Sequence, residues 1–209
     1  MNDTVKNEKK TWNVYTIAFT GMLGALSMVL MLIRFPLPFA PSFMEFDISE
    51  LPALFAGFFI GPAGGAAVVA VKILLKLIIQ GTNTGFVGDF SNLVSSLAFV
   101  LTAAFIYKKN KTKKGAILAM LISTLVVSVL SIFLNAFIMF PLYSRLYELP
   151  MEVLVGMGAK VNPLVKDSVT LMIFAVFPFN LVKHAVTSLL TFLMYKRAGR
   201  ALRKLMNRG

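Results

Sequence analysis

Long apolar runs, separated by short polar or proline-rich segments, dominate this chain. The runs cover residues 14–33, 51–79, 93–107, 116–140 and 169–195. Runs that approach or exceed ~18 apolar residues are typical of transmembrane helices. None of these runs alternates between apolar and polar residues as the strands of a membrane barrel do. The pattern therefore predicts an all-α integral membrane protein.

The run at 51–79 leaves the number of helices open. It is too long for one comfortable span and too short for two full ones, because a full span needs ~20 residues. The sequence GPAGG at 61–65 interrupts it. A break at Gly61-Pro62 gives six helices with an unusually short second one, whereas an unbroken run gives five.

The distribution of basic residues decides between these two counts. Lys and Arg cluster before the first run, at 108–114, and after the last run. Cytoplasmic segments of membrane proteins carry the excess of Lys and Arg. All three clusters share one side of the membrane only if four spans separate the first cluster from the second. We therefore predict a six-transmembrane-helix bundle with a short second helix and both termini cytoplasmic.

Composition agrees with a single membrane domain over 1–209. Of the 209 residues, 57% are hydrophobic and 14% are charged, whereas a soluble domain carries about 25% charged residues. The net charge of +12 is explained by the cytoplasmic clusters, so no nucleic-acid partner is expected. We expect a cytoplasmic segment at 1–12, a helical bundle at 13–197 and a basic cytoplasmic tail at 198–209. No small-residue cleavage site follows the first run, which indicates a retained helix and not a signal peptide.

The predicted topology puts the segments 34–49, 80–90 and 141–168 on the outer face. These segments hold most of the acidic residues of the chain, namely Glu45, Asp47, Glu50, Asp89, Glu148, Glu152 and Asp167. The outer face is therefore the side on which acidic groups can meet cations of the spans.

Several function classes lack the residues that they need. The chain has no cysteine, no cluster of His and carboxylates with metal spacing, and no phosphate-binding G-x-x-x-x-G-K-[ST] loop. It also has no G-x-S-x-G sequence and no catalytic triad. We therefore expect no enzymatic activity, no ATPase activity of its own, no metal and no resident cofactor.

A few polar groups interrupt the apolar runs: Lys72, Lys76, Asn135, Asn180, Lys183 and His184. Such groups are costly in lipid and usually face a bundle interior or a cavity. Helix rise puts Asn135 roughly 30 Å from the inner start of its helix and Asn180 roughly 22 Å from the inner end of its own. Both amides therefore belong to the outer half of the bundle, and Lys183 shares a face with Asn180.

Structural roles compete with ligand binding at these positions. Asn135 could join two helices by a hydrogen bond, Lys76 could extend to the outer interface, and His184 could satisfy a neighbouring carbonyl. Lys183 is the hardest to explain in this way, because its own helix offers no acidic partner. Two amides and a lysine can read the edge of a planar heterocycle, and 19 phenylalanines can supply apolar walls.

The first run contains the small residues Ala18, Gly21 and Ala25. Small residues at this spacing let helices approach closely. They could pack within the bundle or dock against another membrane subunit, and the residues alone leave both possibilities open.

Three segments of the chain resemble one family. The segments FDISELPALFAGFFIGPAGG (46–65), GTNTGFVGDFSN (81–92) and FPFNLVKH (177–184) resemble the riboflavin-binding S components of energy-coupling factor (ECF) vitamin transporters. The resemblance implies an S component in a prokaryotic cell membrane that binds riboflavin on the outer face. It also implies partners, namely a transmembrane coupling subunit and two ATPase subunits.

The resemblance also implies particular site residues. Asn135, Asn180 and Lys183 would hold the isoalloxazine ring. The outer loop would help to enclose the ligand with Phe43, Met44, Glu45, Phe46 and Asp47, and weaker candidates are Lys72, Gln80 and Thr84. Ala18, Gly21 and Ala25 would contact the coupling subunit. Alternatives are an S component for another vitamin or for FMN, and a stand-alone transporter of small molecules.

Overall fold

The fold was analysed in a computed structural model that describes residues 12–148 and 150–206. Most of the predicted cytoplasmic segment at 1–12 and the last residues of the basic tail lie outside these ranges. The helices are α1 (Val14–Leu32), α2 (Glu50–Phe59), α3 (Pro62–Gln80), α4 (Val87–Lys109), α5 (Lys113–Leu134), α6 (Phe140–Tyr147), α7 (Met151–Val161), α8 (Ser168–Leu171) and α9 (Phe177–Met206). Two short strands, β1 (Phe35–Pro36) and β2 (Glu45–Phe46), pair antiparallel between α1 and α2.

Five helical segments are long and apolar enough to cross a membrane within 12–148 and 150–206. They are Val14–Leu32, Pro62–Gln80, Val87–Lys109, Lys113–Tyr147 and Ser168–Tyr195. The last two are continuous because a π-helical turn at Asn135–Met139 joins α5 to α6 and another at Met172–Val176 joins α8 to α9. The apolar helix α2 is shorter, with 10 residues.

The predicted break between the second and third helices is confirmed. Helix α2 ends at Phe59 and α3 begins at Pro62. Gly61 has φ +120, a backbone conformation that residues with a Cβ atom rarely adopt. Pro62 occupies the first turn of α3, where its missing N–H costs nothing. The two residues therefore end one helix and begin the next within a single turn.

The apolar run at 116–140 predicts a fifth span that ends at Pro141, and this end is wrong. The helix continues through Pro141 to Tyr147. A proline inside an α-helix removes a backbone donor and clashes with the preceding turn. Here the π-helical turn at Asn135–Met139 directly precedes the proline and changes the hydrogen-bond pattern at this point. The loop expected at 142–167 likewise contains the rest of α6 and all of α7.

The last long helical segment begins at a well-formed cap. The backbone N–H of Thr170 donates a 2.8 Å hydrogen bond to Oδ1 of Asp167, and the Thr170 hydroxyl accepts a hydrogen bond from the Asp167 N–H. The hydrogen bond from the Thr170 backbone holds the pKa of the exposed Asp167 carboxyl below its usual range. This reciprocal cap ends the connection between α7 and α8 and starts α8.

Apolar side chains pack at both ends of the bundle. One cluster joins α2, α3, α4 and the start of α5, with Leu54, Phe99 and Val100 fully buried. Another cluster joins the β1–β2 connection, the two π-helical turns and α7, and includes Phe46, Phe140 and Leu171. The polar groups of the spans lie next to the second cluster, where the chain is least regular.

Helices α1 and α3 approach each other closely at Gly24. A Cβ atom added there would lie 2.3 Å from Cγ1 of Val71, whereas one added at Gly21 would meet nothing within 4 Å. Ala18, Gly21 and Ala25 are exposed on the outward face of α1. The small residues of α1 therefore lie on two faces of the helix. Gly24 faces α3, whereas Ala18, Gly21 and Ala25 are exposed.

We predict that Gly24→Ala destabilises the bundle by about 1–3 kcal/mol, because the stiff Val71 side chain cannot move aside cheaply. Gly21→Ala is the matched control, and we expect it to be neutral or slightly stabilising. The measurement is the midpoint of thermal unfolding of the purified protein in detergent. Equal midpoints for the two variants would contradict the close approach.

Candidate functional site

A polar cavity opens beside the N-terminus of α2. About 1140 Å³ in and around it is free of protein atoms, part of this space being open solvent. The charged side chains in its wall are Arg34, Glu45, Asp47, Glu50, Lys76, Asp89 and Lys183. Its apolar and aromatic wall comes from Met31, Phe43, Met44, Met139, Phe140, Tyr143 and Phe179. The remaining polar part is formed by Asn83, Thr84, Ser91, Asn92, Ser95, Asn135, Asn180 and His184, beside Gly88.

The β1–β2 pair positions the loop that covers one side of the cavity. Phe35 pairs with Phe46, and Pro36 pairs with Glu45. The alternation along β2 points Glu45 outward and buries Phe46 among apolar groups. Arg34 and Glu45 form a 2.9 Å ion pair with side chains 31% and 42% exposed. This pair therefore lies at the mouth of the cavity.

The π-helical turns position the two asparagines. Asn135 begins one turn, and Asn180 follows the other by four residues. Nδ2 of Asn135 donates to the Ser131 carbonyl at 2.8 Å, and Nδ2 of Asn180 donates to the Val176 carbonyl at 2.9 Å. Each amide thus donates one N–H to a carbonyl of its own helix, next to a π-helical turn of the kind that is frequent at functional sites. The second N–H and the carbonyl oxygen of each amide remain available at the cavity wall.

Lys183 has acidic partners that its own helix could not supply. Its Nζ atom lies 2.8 Å from Oδ2 of Asp47 and 3.8 Å from Oε1 of Glu50. Asp47 also accepts a 2.8 Å hydrogen bond from the backbone N–H of Ser49 through Oδ1. The helix of Lys183 offers no acidic partner, as the sequence indicates; its partners come from the loop before α2 and from the first turn of α2.

Lys72 forms a buried polar cluster behind the cavity wall. Its side chain is completely buried. Nζ donates to Oγ of Ser49, Oδ1 of Asn92 and Oγ of Ser96 at 3.1, 2.9 and 2.9 Å, and lies 3.6 Å from Oε1 of Glu50. A buried ammonium is tolerated only when it is paired and its hydrogens are bonded. Lys72 therefore stabilises the N-terminus of α2 and does not face the cavity.

Lys76 joins the end of α3 to the start of α4. Its Nζ atom lies 2.6 Å from Oδ1 of Asp89 and donates to the Gly81 carbonyl at 2.8 Å. The side chain is 7% exposed, so it does not extend to the outer interface as one interpretation of the sequence suggested. The connection between α3 and α4 is thereby held against the cavity.

Three buried polar atoms of wall residues have no hydrogen-bond partner within the described ranges. They are Oε2 of Glu50, Oδ2 of Asp89 and Nε2 of His184. His184 uses its other ring nitrogen, since Nδ1 lies 2.8 Å from the Asn180 carbonyl, as expected from a structural role. Buried polar groups in native proteins are nearly always satisfied. These three atoms are therefore candidates to satisfy polar groups of a bound molecule.

The structure brings together most of the residues predicted for the site. Asn135, Asn180, Lys183, Phe43, Met44, Glu45, Asp47 and Thr84 line the cavity. Phe46 and Lys72 are buried behind the wall, and Gln80 is exposed at the C-terminal end of α3, so these three do not line it.

Sequence reasoning missed several wall residues: Arg34, Glu50, Asp89, Asn92, Tyr143 and Phe179. Glu50 and Asp89 were recognised as outer-face acids, and each stands in the first turn of a helix. The lysines within the apolar runs were a usable signal for these two acids, because a lysine buried in a bundle requires a carboxylate nearby. The aromatic residues carried no such signal among 19 phenylalanines.

No group of three or more His, Cys, Asp or Glu side chains in the described part of the chain could hold a metal ion. Fold and cavity together define a multi-pass membrane protein whose helices enclose a site for a small, partly polar molecule. The aromatic and methionine side chains favour a flat apolar body in the ligand, and the amides and charged pairs favour a polar edge.

Comparisons with known proteins narrow this class to one family. The family model described as "ECF transporter, substrate-specific component" matches residues 15–195. The riboflavin transporter RibU of Staphylococcus aureus (strain TCH60) is 32% identical over 185 residues, which cover 88% of this chain and 90% of that protein. The riboflavin transporter FmnP of Bacillus subtilis (strain 168) is 31% identical over 185 residues, with 87% and 90% covered.

A solved structure agrees with these relatives. The structure titled "Structure and mechanism of the S component of a bacterial ECF transporter" matches with a TM-score of 0.70 and 32% identity, over 90% of this chain and 96% of that one. The chain therefore belongs to the substrate-specific components of the ECF transporters, a family of bacterial cell-membrane proteins. Its named relatives are transport components and not enzymes.

We predict that Lys72→Met destabilises the protein by about 3 kcal/mol, because it leaves Glu50 short of a buried cation. For a chain of this size the midpoint of thermal unfolding would fall by about 6–12 °C. The double variant Glu50→Gln, Lys72→Met removes both charges, and we expect it to be more stable than the sum of the single losses. Strict additivity of the two single losses would contradict a coupled buried pair.

Proposed function

We propose that this protein is the riboflavin-binding subunit of an ECF-type vitamin importer. The observation that carries the proposal is the cavity itself: two asparagines that each still offer one N–H and a carbonyl oxygen, Lys183 and an aromatic wall converge beside the N-terminus of α2. The named relatives, which are riboflavin transporters, support the choice of ligand.

The chemistry of the flavin ring fits this wall. Isoalloxazine is flat and largely apolar, and its polar edge carries an imide N–H between two carbonyl groups. The free carbonyl oxygens of Asn135 and Asn180 can accept from the imide, and their remaining N–H groups and the Lys183 ammonium can donate to the ring carbonyls. Phe140 and Phe179 supply surfaces for the ring faces.

The ribityl chain of riboflavin needs hydrogen-bond partners of another kind. Its hydroxyl groups both donate and accept, and carboxylates accept strongly. Glu45 and Asp47 lie in the cavity wall, and Thr84 adds a hydroxyl from the connection between α3 and α4. We assign these three residues to the ribityl chain. Oε2 of Glu50 can accept a further hydrogen bond.

We further propose a topology of six transmembrane helices with both termini cytoplasmic, in which α2 is the short second helix. The cavity then opens to the outer face, and the basic segment at 108–114 faces the cytoplasm. A separate transmembrane coupling subunit and two ATPase subunits would supply the energy, because this chain contains no nucleotide-binding loop. The exposed residues Ala18, Gly21 and Ala25 of α1 are our candidates for contact with the coupling subunit.

We expect purified protein to quench riboflavin fluorescence on titration, with submicromolar affinity. Asn135→Ala and Asn180→Ala should each weaken binding about 5- to 150-fold, because each leaves a polar group of the buried ligand unsatisfied. Gln80→Ala is the matched control, an exposed amide in the same outer region that lies away from the cavity. We expect its affinity to equal that of the unmodified protein.

Competition with thiamin and biotin distinguishes riboflavin from other vitamins. A protein that binds one of these vitamins and no flavin would be an S component of different specificity, and the proposal would be wrong. Uptake into cells with and without the coupling and ATPase subunits tests the division of labour. Uptake that continues without the ATPase subunits would indicate a stand-alone transporter.

The proposed topology predicts which positions a membrane-impermeant thiol reagent can reach in intact cells. The chain has no cysteine, so a single introduced cysteine reports one position without background. Glu148→Cys should be labelled in intact cells, because it lies on the proposed outer face. Lys111→Cys should be labelled only after the membrane is permeabilised. Labelling of Lys111→Cys in intact cells would contradict the six-helix topology.

A further inference from the structure

We propose that the ion pair between Glu45 and Arg34 makes the cavity select neutral riboflavin over its 5′-phosphate ester, FMN. The inference rests on the proposed function and deepens it by naming a residue that determines specificity. A phosphate monoester carries about −1.5 to −2 charges at neutral pH. It can leave water only for a cation or for N–H groups that are not already engaged.

The cations of the cavity wall are already paired. In the described part of the chain, the wall contains three cationic and four carboxylate side chains. Arg34 lies 2.9 Å from Glu45, Lys183 lies 2.8 Å from Asp47, and Lys76 lies 2.6 Å from Asp89. A phosphate that entered would have to displace a carboxylate from one of these pairs and leave it unpaired.

The N-termini of α2 and α4, which lie at the cavity, likewise already have carboxylates beside them. The free N–H groups of a helix N-terminus commonly bind phosphate. At α2 the first turn carries Glu50, and Asp47 accepts from the Ser49 N–H. At α4 the first turn carries Asp89, and Oδ2 of that carboxylate is buried without a hydrogen-bond partner within 12–148 and 150–206. Both ends therefore present negative charge to an incoming anion.

Among these pairs, the one at the mouth is the easiest to change without disturbing the core. The side chains of Arg34 and Glu45 are 31% and 42% exposed, whereas those of Lys183 and Asp47 are 8% and 5% exposed. Removal of the Glu45 charge frees the Arg34 guanidinium, and a guanidinium suits a phosphate through paired hydrogen bonds. The cost to the fold is small, because partly exposed ion pairs contribute little stability.

The test titrates the full-length purified protein with riboflavin, FMN and riboflavin 5′-acetate, by quenching of flavin fluorescence. The acetate is a neutral ester at the same position and controls for size. We expect the unmodified protein to bind FMN at least about tenfold more weakly than riboflavin, because of like-charge repulsion in the wall. We expect riboflavin 5′-acetate to bind within about threefold of riboflavin, since it carries no charge to repel.

Glu45→Gln should raise the affinity for FMN relative to riboflavin at least about fivefold, because it frees Arg34 for the phosphate. The double variant Arg34→Gln, Glu45→Gln should lose that gain, since it removes the freed cation. Glu152→Gln removes the same charge from an exposed position of α7 outside the cavity and should leave the ratio of the two affinities unchanged.

Each other outcome overturns the inference in a distinguishable way. Equal binding of FMN and riboflavin by the unmodified protein rejects the selection while leaving the proposed function intact. Equally weak binding of the acetate and FMN shows that size and not charge is responsible. A gain for FMN in Glu45→Gln that survives removal of Arg34 rejects the role of that ion pair. Failure to bind any flavin overturns the proposed function together with this inference.

Discussion

The neutralisation of buried charge at the N-terminus of α2 is the constraint on which the rest of this structure depends. Lys72 is fully buried, and it is tolerable in a membrane protein only with Glu50 and three hydrogen-bond acceptors around it. Lys183 makes the same demand from α9 and is met by Asp47. Ser27 of α1 donates to the Ser49 carbonyl at the same place. Four helices and the outer loop therefore meet at one helix end, because no single helix can satisfy these groups alone.

The cavity lies beside this cluster for a related reason. Each π-helical turn replaces part of the regular hydrogen-bond ladder, and each is followed closely by a proline that lacks a donor. Each asparagine amide donates one N–H to a carbonyl of its own helix and presents its other groups to the cavity. Irregular backbone at membrane depth is tolerated only where it lines a cavity or is buried in protein. The irregularity and the site are therefore two consequences of the same local sequence.

The charged residues of this region contribute unequally to the stability of the fold and to the ligand site. Lys72 lies behind the wall and supports the fold, whereas Lys183 bridges Asp47 and also faces the cavity. Glu45 and Arg34 lie at the mouth, where exposure weakens their contribution to stability and leaves them free to influence which ligand enters. Charged groups near the core thus have structural roles, whereas those nearer the mouth of the cavity face the ligand.

The sequence determined the membrane class, the short second helix and, with the family resemblance, eight of the residues that line the cavity. Apolar runs, basic clusters and the Gly61-Pro62 break depend on local chemistry, which is visible in one dimension. The family resemblance led to Asn135, Asn180 and the outer loop. Only the tertiary structure decided that Lys72 is structural, that Lys183 is paired with Asp47, and that α6 continues past Pro141. These outcomes depend on which distant groups meet, since partners such as Asp47 and Lys183 are 136 positions apart and no local pattern records their contact.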